Sequence, residues 1–387
     1  MRLDRLWLKD FRSYESLEIE LAPGLTVVIG TNGAGKTNML EAMAYLGSLR
    51  SFRQAPPEAL VRTGAQRAVI RGEGRLETRT LLIETELVLG GRNRTLLNKQ
   101  PVRKVSELGT VFRTTVFSPD DLVLVKGGPG ERRAFLDQLL EALAPRNGAL
   151  LSDLERILRQ RNAVLKQAAG RVNPEIAFTL DVWDAKLAAV GTEVANRRAE
   201  LLDQIAGEVT RAYGDIADSG TGREANVGST YFAPWRDRGL PDALGRARND
   251  DVRRGVSTIG PHRDDVELVV NGRPSRTHAS QGEQRTLALA LRLAGHRHAT
   301  KALGEAPLLL LDDVFSELDP LRSDALLHHL PLGQVVLATA GHVPPAATIE
   351  SLVRVERSVD GELGSFLSRA VDNPVESVEE SASGTLQ

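Results

Sequence analysis

The chain has 387 residues, 49 basic against 51 acidic side chains and no cysteine. Its length suggests two or three domains, the missing cysteines exclude disulfides, thiolate metal sites and a cysteine nucleophile, and a net charge of −2 gives no global sign of a nucleic-acid partner, so any such contact must be gathered on one face. No run approaches the ~18 consecutive apolar residues of a membrane span, and the charged start Met1-Arg2-Leu3-Asp4-Arg5 is unlike a signal peptide, so a cytoplasmic protein without a membrane partner is expected.

Residues 3–20 alternate apolar and polar, as strands do. Pro23-Gly24 breaks the run, and Leu25-Thr26-Val27-Val28-Ile29 reads as a fully buried strand. A glycine-rich turn leads into a helix with Leu40, Met43, Ala44 and Gly47 on one face. Residues 68–105 predict a β-meander, with strands near Thr80–Leu89 and Thr95–Lys99 about a Gly90-Gly91 turn. From Glu131 the period becomes helical, with Leu136, Leu139, Leu140 and Leu143 in register. Pro145 interrupts. A second helix is expected over about Leu150–Gln167 and a third over about Asp181–Tyr213. Asp215–Gly228 reads as a loop. Val266–Val270 is a strand ending at an Asn271-Gly272 turn, a helix starts near Ser280, and two buried strands follow at Pro307–Leu311 and Gln334–Thr339. Asn373–Gln387 is acidic, Ser-rich and nearly free of large apolar residues, the composition of a disordered tail.

Gly30-Thr31-Asn32-Gly33-Ala34-Gly35-Lys36-Thr37 fits the phosphate-loop pattern between a strand and a helix. Glycines let the backbone N–H groups turn inward toward phosphate oxygens. Lys36 is expected to reach the β- and γ-phosphates of ATP, and Thr37 to offer its hydroxyl to Mg²⁺; Asn38 opens the helix beyond. The apolar strand Pro307–Leu311 ends in Asp312-Asp313. Asp312 is the expected Mg²⁺ ligand, and Asp313 the residue that orients the attacking water. Lys36, Asp312 and Asp313 are thus the candidate catalytic residues.

Ser280-Gln281-Gly282-Glu283-Gln284-Arg285, at the start of a helix about twenty-five residues before the aspartate pair, is similar to the signature of ABC ATPases, and Leu311–Asp319 to their segment around the catalytic acid. The resemblance places Asp319 in the loop that crosses to a partner head. It also makes Ser280, Gln281, Gly282, Glu283 and Gln284 the site for ATP held by the other subunit, and so implies an ATP-dependent homodimer. The fold expected is α/β: an ABC-type P-loop ATPase head (a mixed sheet with helices) with a helical arm inserted between its two halves. The expected boundaries are 1–125 and 246–370 for the head, 126–245 for the arm and 371–387 for the tail.

More stretches resemble one family, RecF: Leu8–Tyr14, Gly33–Ala42, Val116–Leu122, and Thr258-Ile259-Gly260-Pro261-His262-Arg263-Asp264-Asp265. About 240 residues separate Lys36 from the signature, too few for the long coiled coils of SMC and Rad50 proteins. The resemblance implies a slow, DNA-stimulated ATPase of recombinational repair and replication restart, nucleoid-associated, that binds single-strand/duplex junctions at gaps. It implies RecO and RecR as partners in loading RecA. It also brings Arg12 and Ser13 toward the nucleotide. Three departures stand out: Asp313 where most ABC ATPases have Glu, Glu283 where the family usually has Gln, and Ala338-Thr339-Ala340 without a switch histidine, His342 lying two residues on. The expected Q-loop falls near Asp120. For DNA, candidate cations are Arg132-Arg133, Arg156, Arg159, Arg161, Arg197-Arg198 and Arg253-Arg254. An SMC-like structural ATPase that organises DNA without a gap-repair role stays open as an alternative, and a transporter subunit is disfavoured by the helical arm.

Overall fold

The computed structural model describes residues 1–217, 226–341, 343 and 347–356. His342 and the expected acidic tail lie outside these residues. The described residues fall into two compact units, one of residues 1–120, 215–217, 296–341, 343 and 347–356, the other of residues 121–214 and 226–295.

The first unit holds two sheets. One is antiparallel, ordered Tyr14–Glu20, Arg2–Phe11, Arg67–Leu76, Arg79–Val88, Arg94–Leu97, Gln100–Pro101. The other is parallel throughout, ordered Ser351–Arg354, Leu25–Ile29, Val335–Thr339, Leu308–Asp312, Thr114–Phe117. Its three central strands are continuous apolar runs, because both their faces are covered. The helix Lys36–Ser48 supplies Met39, Leu40, Met43 and Leu46 to a core shared with Leu6 and Ile70 of the antiparallel sheet and Leu310 and Val336 of the parallel one. The strands of the predicted meander fall within a residue or two of their expected places.

The second unit is mainly helical: Pro129–Leu143, Pro145–Ala168, Pro174–Ala217 and Leu240–Arg254, with a small antiparallel sheet of Arg273–Pro274, Asp265–Val270 and Val227–Phe232. Each of the four helices has proline in its first turn, where no intrahelical N–H is lost. Pro145, expected to interrupt, therefore begins a helix. Pro174–Ala217 starts seven residues earlier than its apolar stripe suggested, and its 44 residues make it about 66 Å long. The loop expected over Asp215–Gly228 begins with the end of this helix and ends in a strand; 218–225 lie outside the described residues. Residues 246–295, assigned from sequence to the head, cluster with the helices. The strand Asp265–Val270 packs on the helix Pro129–Leu143, and Arg132 holds Asp265 through two hydrogen bonds of 2.7 and 3.0 Å.

Candidate nucleotide site

The strand Leu25–Ile29 ends at Gly30, where an added Cβ would lie 2.2 Å from the Val355 carbonyl oxygen, so only glycine fits. Gly33 and Gly35 have φ of +79° and +114°, the left-handed backbone that turns the loop into the helix. Lys36 Nζ donates to the carbonyls of Gly30 and Thr31 at 2.7 and 3.0 Å, so the ammonium lies folded within the loop. Burial lowers its pKa, and Asp313 and Asp312 partly oppose that.

Thr37 Oγ1 donates to Asp312 Oδ1 at 2.8 Å. Asp312 closes its strand and is buried; burial pushes its pKa up to about 6, Thr37, Arg53 and Lys36 pull it down, and Asp313 pushes it further up. Asp313 sits at φ +49°, a left-handed conformation that aspartate adopts more readily than most residues. Its N–H donates to the Ala338 carbonyl at 2.9 Å, while its Oδ1 is buried without a partner among the described residues. A buried carboxylate oxygen left without a partner beside the phosphate loop calls for an explanation.

Arg12 lies beside the same helix. Its guanidinium holds Glu41 through Nε and Nη2, both at 2.8 Å, and the Ala59 carbonyl at 2.9 Å. Glu41 is fully buried and also accepts from Ser51 Oγ. Ser13 Oγ accepts from Asn38 Nδ2 at 2.7 Å, and the Tyr14 hydroxyl donates to the Gly35 carbonyl at 2.9 Å. Tyr14, Glu41 and Arg53 stand beside the phosphate loop, its helix and Asp312, and none of them was singled out from sequence. A lone carboxylate inside the apolar run Leu40-Glu41-Ala42 was a usable signal for Glu41.

At the signature, Ser280 and Glu283 form a capping box: Ser280 N donates to Glu283 Oε2 at 2.7 Å, and Glu283 N to Ser280 Oγ at 3.3 Å. The departure at 283 is thus absorbed, because the carboxylate satisfies the first turn of the helix Gln281–Leu303. Ser280 and Gln281 are exposed and Gly282 half-buried. Gln284 is buried, and its amide donates to the Ser275 and Arg276 carbonyls at 3.0 and 3.1 Å; it shapes the turn before the signature. Asp319 caps the helix Pro320–His328, accepting from Arg322 N at 3.0 Å. Asp121, beside the expected Q-loop position, is buried and accepts from Arg292 at 2.8 and 3.0 Å.

Most of the candidate DNA-binding cations are otherwise engaged. Arg161 is fully buried between Asp184 and Asp251, at 2.6 and 2.7 Å. Arg132 holds Asp265, Arg133 donates to the Asp264 carbonyl, and Arg198 holds Asp137 through two hydrogen bonds of 2.7 Å. Arg156, Arg197, Arg253 and Arg254 pair with Asp153, Glu193, Asp250 and Asp250. His262 bonds to the Ser257 carbonyl at 3.0 Å, and burial lowers its pKa to about 4, so it is a neutral part of the fold.

The parallel sheet, phosphate loop, acid-terminated strand and capped signature helix define an ABC-type ATPase head. The family model described as RecF/RecN/SMC N terminal domain matches residues 2–338. A solved Smc head bound to the C-winged helix domain of ScpA shares the fold, with a TM-score of 0.59 at 15% identity over 97% of this chain and all of that one. Within this class the chain belongs to the RecF family. It is 41% identical to the DNA replication and repair protein RecF of Streptomyces avermitilis, covering 88% of this chain and 93% of the relative. It is 42% identical to the RecF of Frankia alni, with the same coverage of each. A solved structure described as the recombination mediator protein RecF-ATPrS in the RecFOR pathway superposes with a TM-score of 0.84, at 26% identity, over 95% of this chain and 98% of that one.

Proposed function

We propose that the chain is an ATP-dependent DNA-binding protein of recombinational repair and replication restart. In this reading it binds single-strand/duplex junctions at gaps as an ATP-bound dimer, turns ATP over slowly with stimulation by DNA, and helps RecO and RecR load RecA. The observation that carries it is the 2.8 Å contact of Thr37 with Asp312 beneath a phosphate loop whose lysine is already folded inward. The names of its relatives, replication and repair proteins and a RecF of the RecFOR pathway described with ATPrS, support the same reading.

The residues present suit ATP and Mg²⁺. Thr37 and Asp312 offer two hard oxygen donors side by side, the set Mg²⁺ takes while keeping most of its water. The ion, when bound, neutralises charge on the β- and γ-phosphates. Lys36 exchanges two carbonyl partners for phosphate oxygens, and the loop N–H groups and helix start favour an anion there. Asp313 Oδ1, buried and unpaired, accepts a hydrogen bond from the attacking water and holds it in line. Its side chain is one methylene shorter than the usual glutamate, which favours slow turnover.

Each copy carries a phosphate loop and an exposed signature, so two copies can each complete the other's site. Because ATP then binds the dimer better than the monomer, it stabilises the dimer by mass action. DNA affinity and ATP affinity must be coupled by the same factor in both directions. The test is mass in solution by light scattering, with and without ATP, for the wild type and Ser280→Arg. ATP should convert monomer to dimer in the wild type and not in the variant. A wild type that stays monomeric with ATP saturating would sink the mechanism.

A further inference from the structure

Basic residues balance acidic ones over the whole chain, but not along Gly90–Lys104. That stretch carries Arg92, Arg94, Lys99, Arg103 and Lys104 and no Asp or Glu. It forms the outer hairpin of the antiparallel sheet, Arg94–Leu97 paired with the edge strand Gln100–Pro101, and runs on into the helix Val105–Val111. All five cations are exposed, and none has an ion-pair partner among the described residues. Two acids flank the hairpin, one in register and one in sequence, and neither pairs with these five side chains. Glu86, opposite Arg94 in the register, bonds to Arg67 at 3.1 Å. Glu107 accepts from the backbone N–H of Lys104 at 3.1 Å.

The turn of this hairpin is unusual in one respect. Asn98 and Lys99 have φ of +49° and +67°, the two left-handed positions of a type I′ turn. Asn98 suits its place, and its Oδ1 accepts from Leu82 N at 2.8 Å. At the second position glycine is the favoured residue, because a Cβ there is strained. Keeping lysine sacrifices local stability and puts an ammonium at the tip.

We propose that this edge hairpin is a contact for the phosphate backbone of duplex DNA, with Lys99 at its centre and Arg92, Arg94, Arg103 and Lys104 beside it. The inference rests on the DNA-binding reading above and adds a place to it. Unpaired cations with no acid among them attract polyphosphate and release its counterions. The hairpin offers no exposed aromatic ring for base stacking, which favours a duplex backbone over single strands. Most of the other candidate arginines are held in ion pairs or buried, as described above, and Arg159 stands exposed and alone on its helix, without a second free cation from that group beside it.

The test measures duplex affinity by fluorescence anisotropy with ATP present, over a series of salt concentrations. The proteins are the wild type, the triple variant Lys99→Ala, Arg103→Ala, Lys104→Ala, and Lys99→Gly. Each lost phosphate contact lowers the slope of log affinity against log salt by about 0.9, so the triple variant should lose between about two and three. Its ATP-dependent mass should match the wild type, which keeps a folding or dimerisation defect from imitating the result. Lys99→Gly should melt at a higher temperature than the wild type yet bind DNA more weakly, an outcome a purely structural lysine would not give. Wild-type binding with an unchanged slope in the triple variant overturns this proposal and leaves the functional reading intact. A wild type that binds no duplex overturns both. Loss of binding to poly-glutamate, with DNA binding unchanged, would assign the patch to an acidic protein and overturn it too.

Discussion

Thr37 and Asp312 are 275 residues apart in sequence and 2.8 Å apart in space. One begins the helix after the phosphate loop, and the other ends a strand of the parallel sheet. Leu25–Ile29 and Leu308–Asp312 are not neighbours; Val335–Thr339 lies between them, pairing with both. The hydroxyl and carboxylate meet because the helix starts at the carboxyl ends of these strands, where open parallel sheets form their sites.

Asp312 should make the nucleotide-free protein less stable as pH rises. Burial raises its pKa from the usual carboxylate value to about 6. Its contribution to stability is therefore fully present below about pH 4 and lost as pH rises through 6, at a cost of about 2–3 kcal/mol for the ionised form. Asp312→Asn should raise the melting temperature by a few degrees at pH 7.5, with the gain roughly halved at pH 5 and vanishing below pH 4, and should abolish ATP turnover. Calorimetry at the two pH values checks this, and a variant less stable than the wild type at pH 7.5 would contradict it.

Glu283→Gln should lower the ATP concentration needed for dimerisation. The amide oxygen can still accept from Ser280 N, so the cap survives and helix stability should change by less than about 0.5 kcal/mol. What goes is a negative charge from the turn proposed to face a phosphate of the partner's ATP. Light scattering across an ATP titration reads the midpoint; a midpoint that moves upward would show that the carboxylate assists.

Arg161→Met should destabilise the helical unit severely. Arg161 joins the helices Pro145–Ala168, Pro174–Ala217 and Leu240–Arg254 by bonding Asp184 and Asp251, and it donates to Ser257 Oγ at 2.8 Å. Its removal leaves Asp251 buried without its cation, a loss of about 3–5 kcal/mol. The defect should be milder at pH 4.5 than at pH 7.5, since a protonated carboxyl needs no cation. Urea unfolding at both pH values measures it, and a loss below about 1 kcal/mol would mean the network is dispensable.

Features set by consecutive residues were legible in the chain itself. The phosphate loop is a local backbone path that Gly33 and Gly35 permit and Lys36-Thr37 equip, so eight residues announced it. The strand ending in Asp312 was readable because an apolar run closed by acids gains meaning beside a phosphate loop, and Ser280 because it stands where a helix cap is needed; the reciprocal bond from Glu283 appears only in the structure. The helix Pro174–Ala217 was read short at its start, where apolar residues on both faces, the exposed Phe178 among them, blur the stripe that the proline in its first turn would have marked.

What only the tertiary structure decided was which charges remain free. Arg12 is spent on Glu41, Arg198 on Asp137 and Arg161 on Asp184 and Asp251, partners 23 to 90 residues distant. Lys99 and its neighbours are left unpaired on a sheet edge. Sequence lists the cations, but ion pairing depends on distance through space, and that is fixed only when strands and helices pack. By itself the sequence determined an ABC-type head with a phosphate loop, an acid pair and a signature, because each is encoded within a few consecutive residues; packing then determined which of its many arginines and lysines are left to meet a partner.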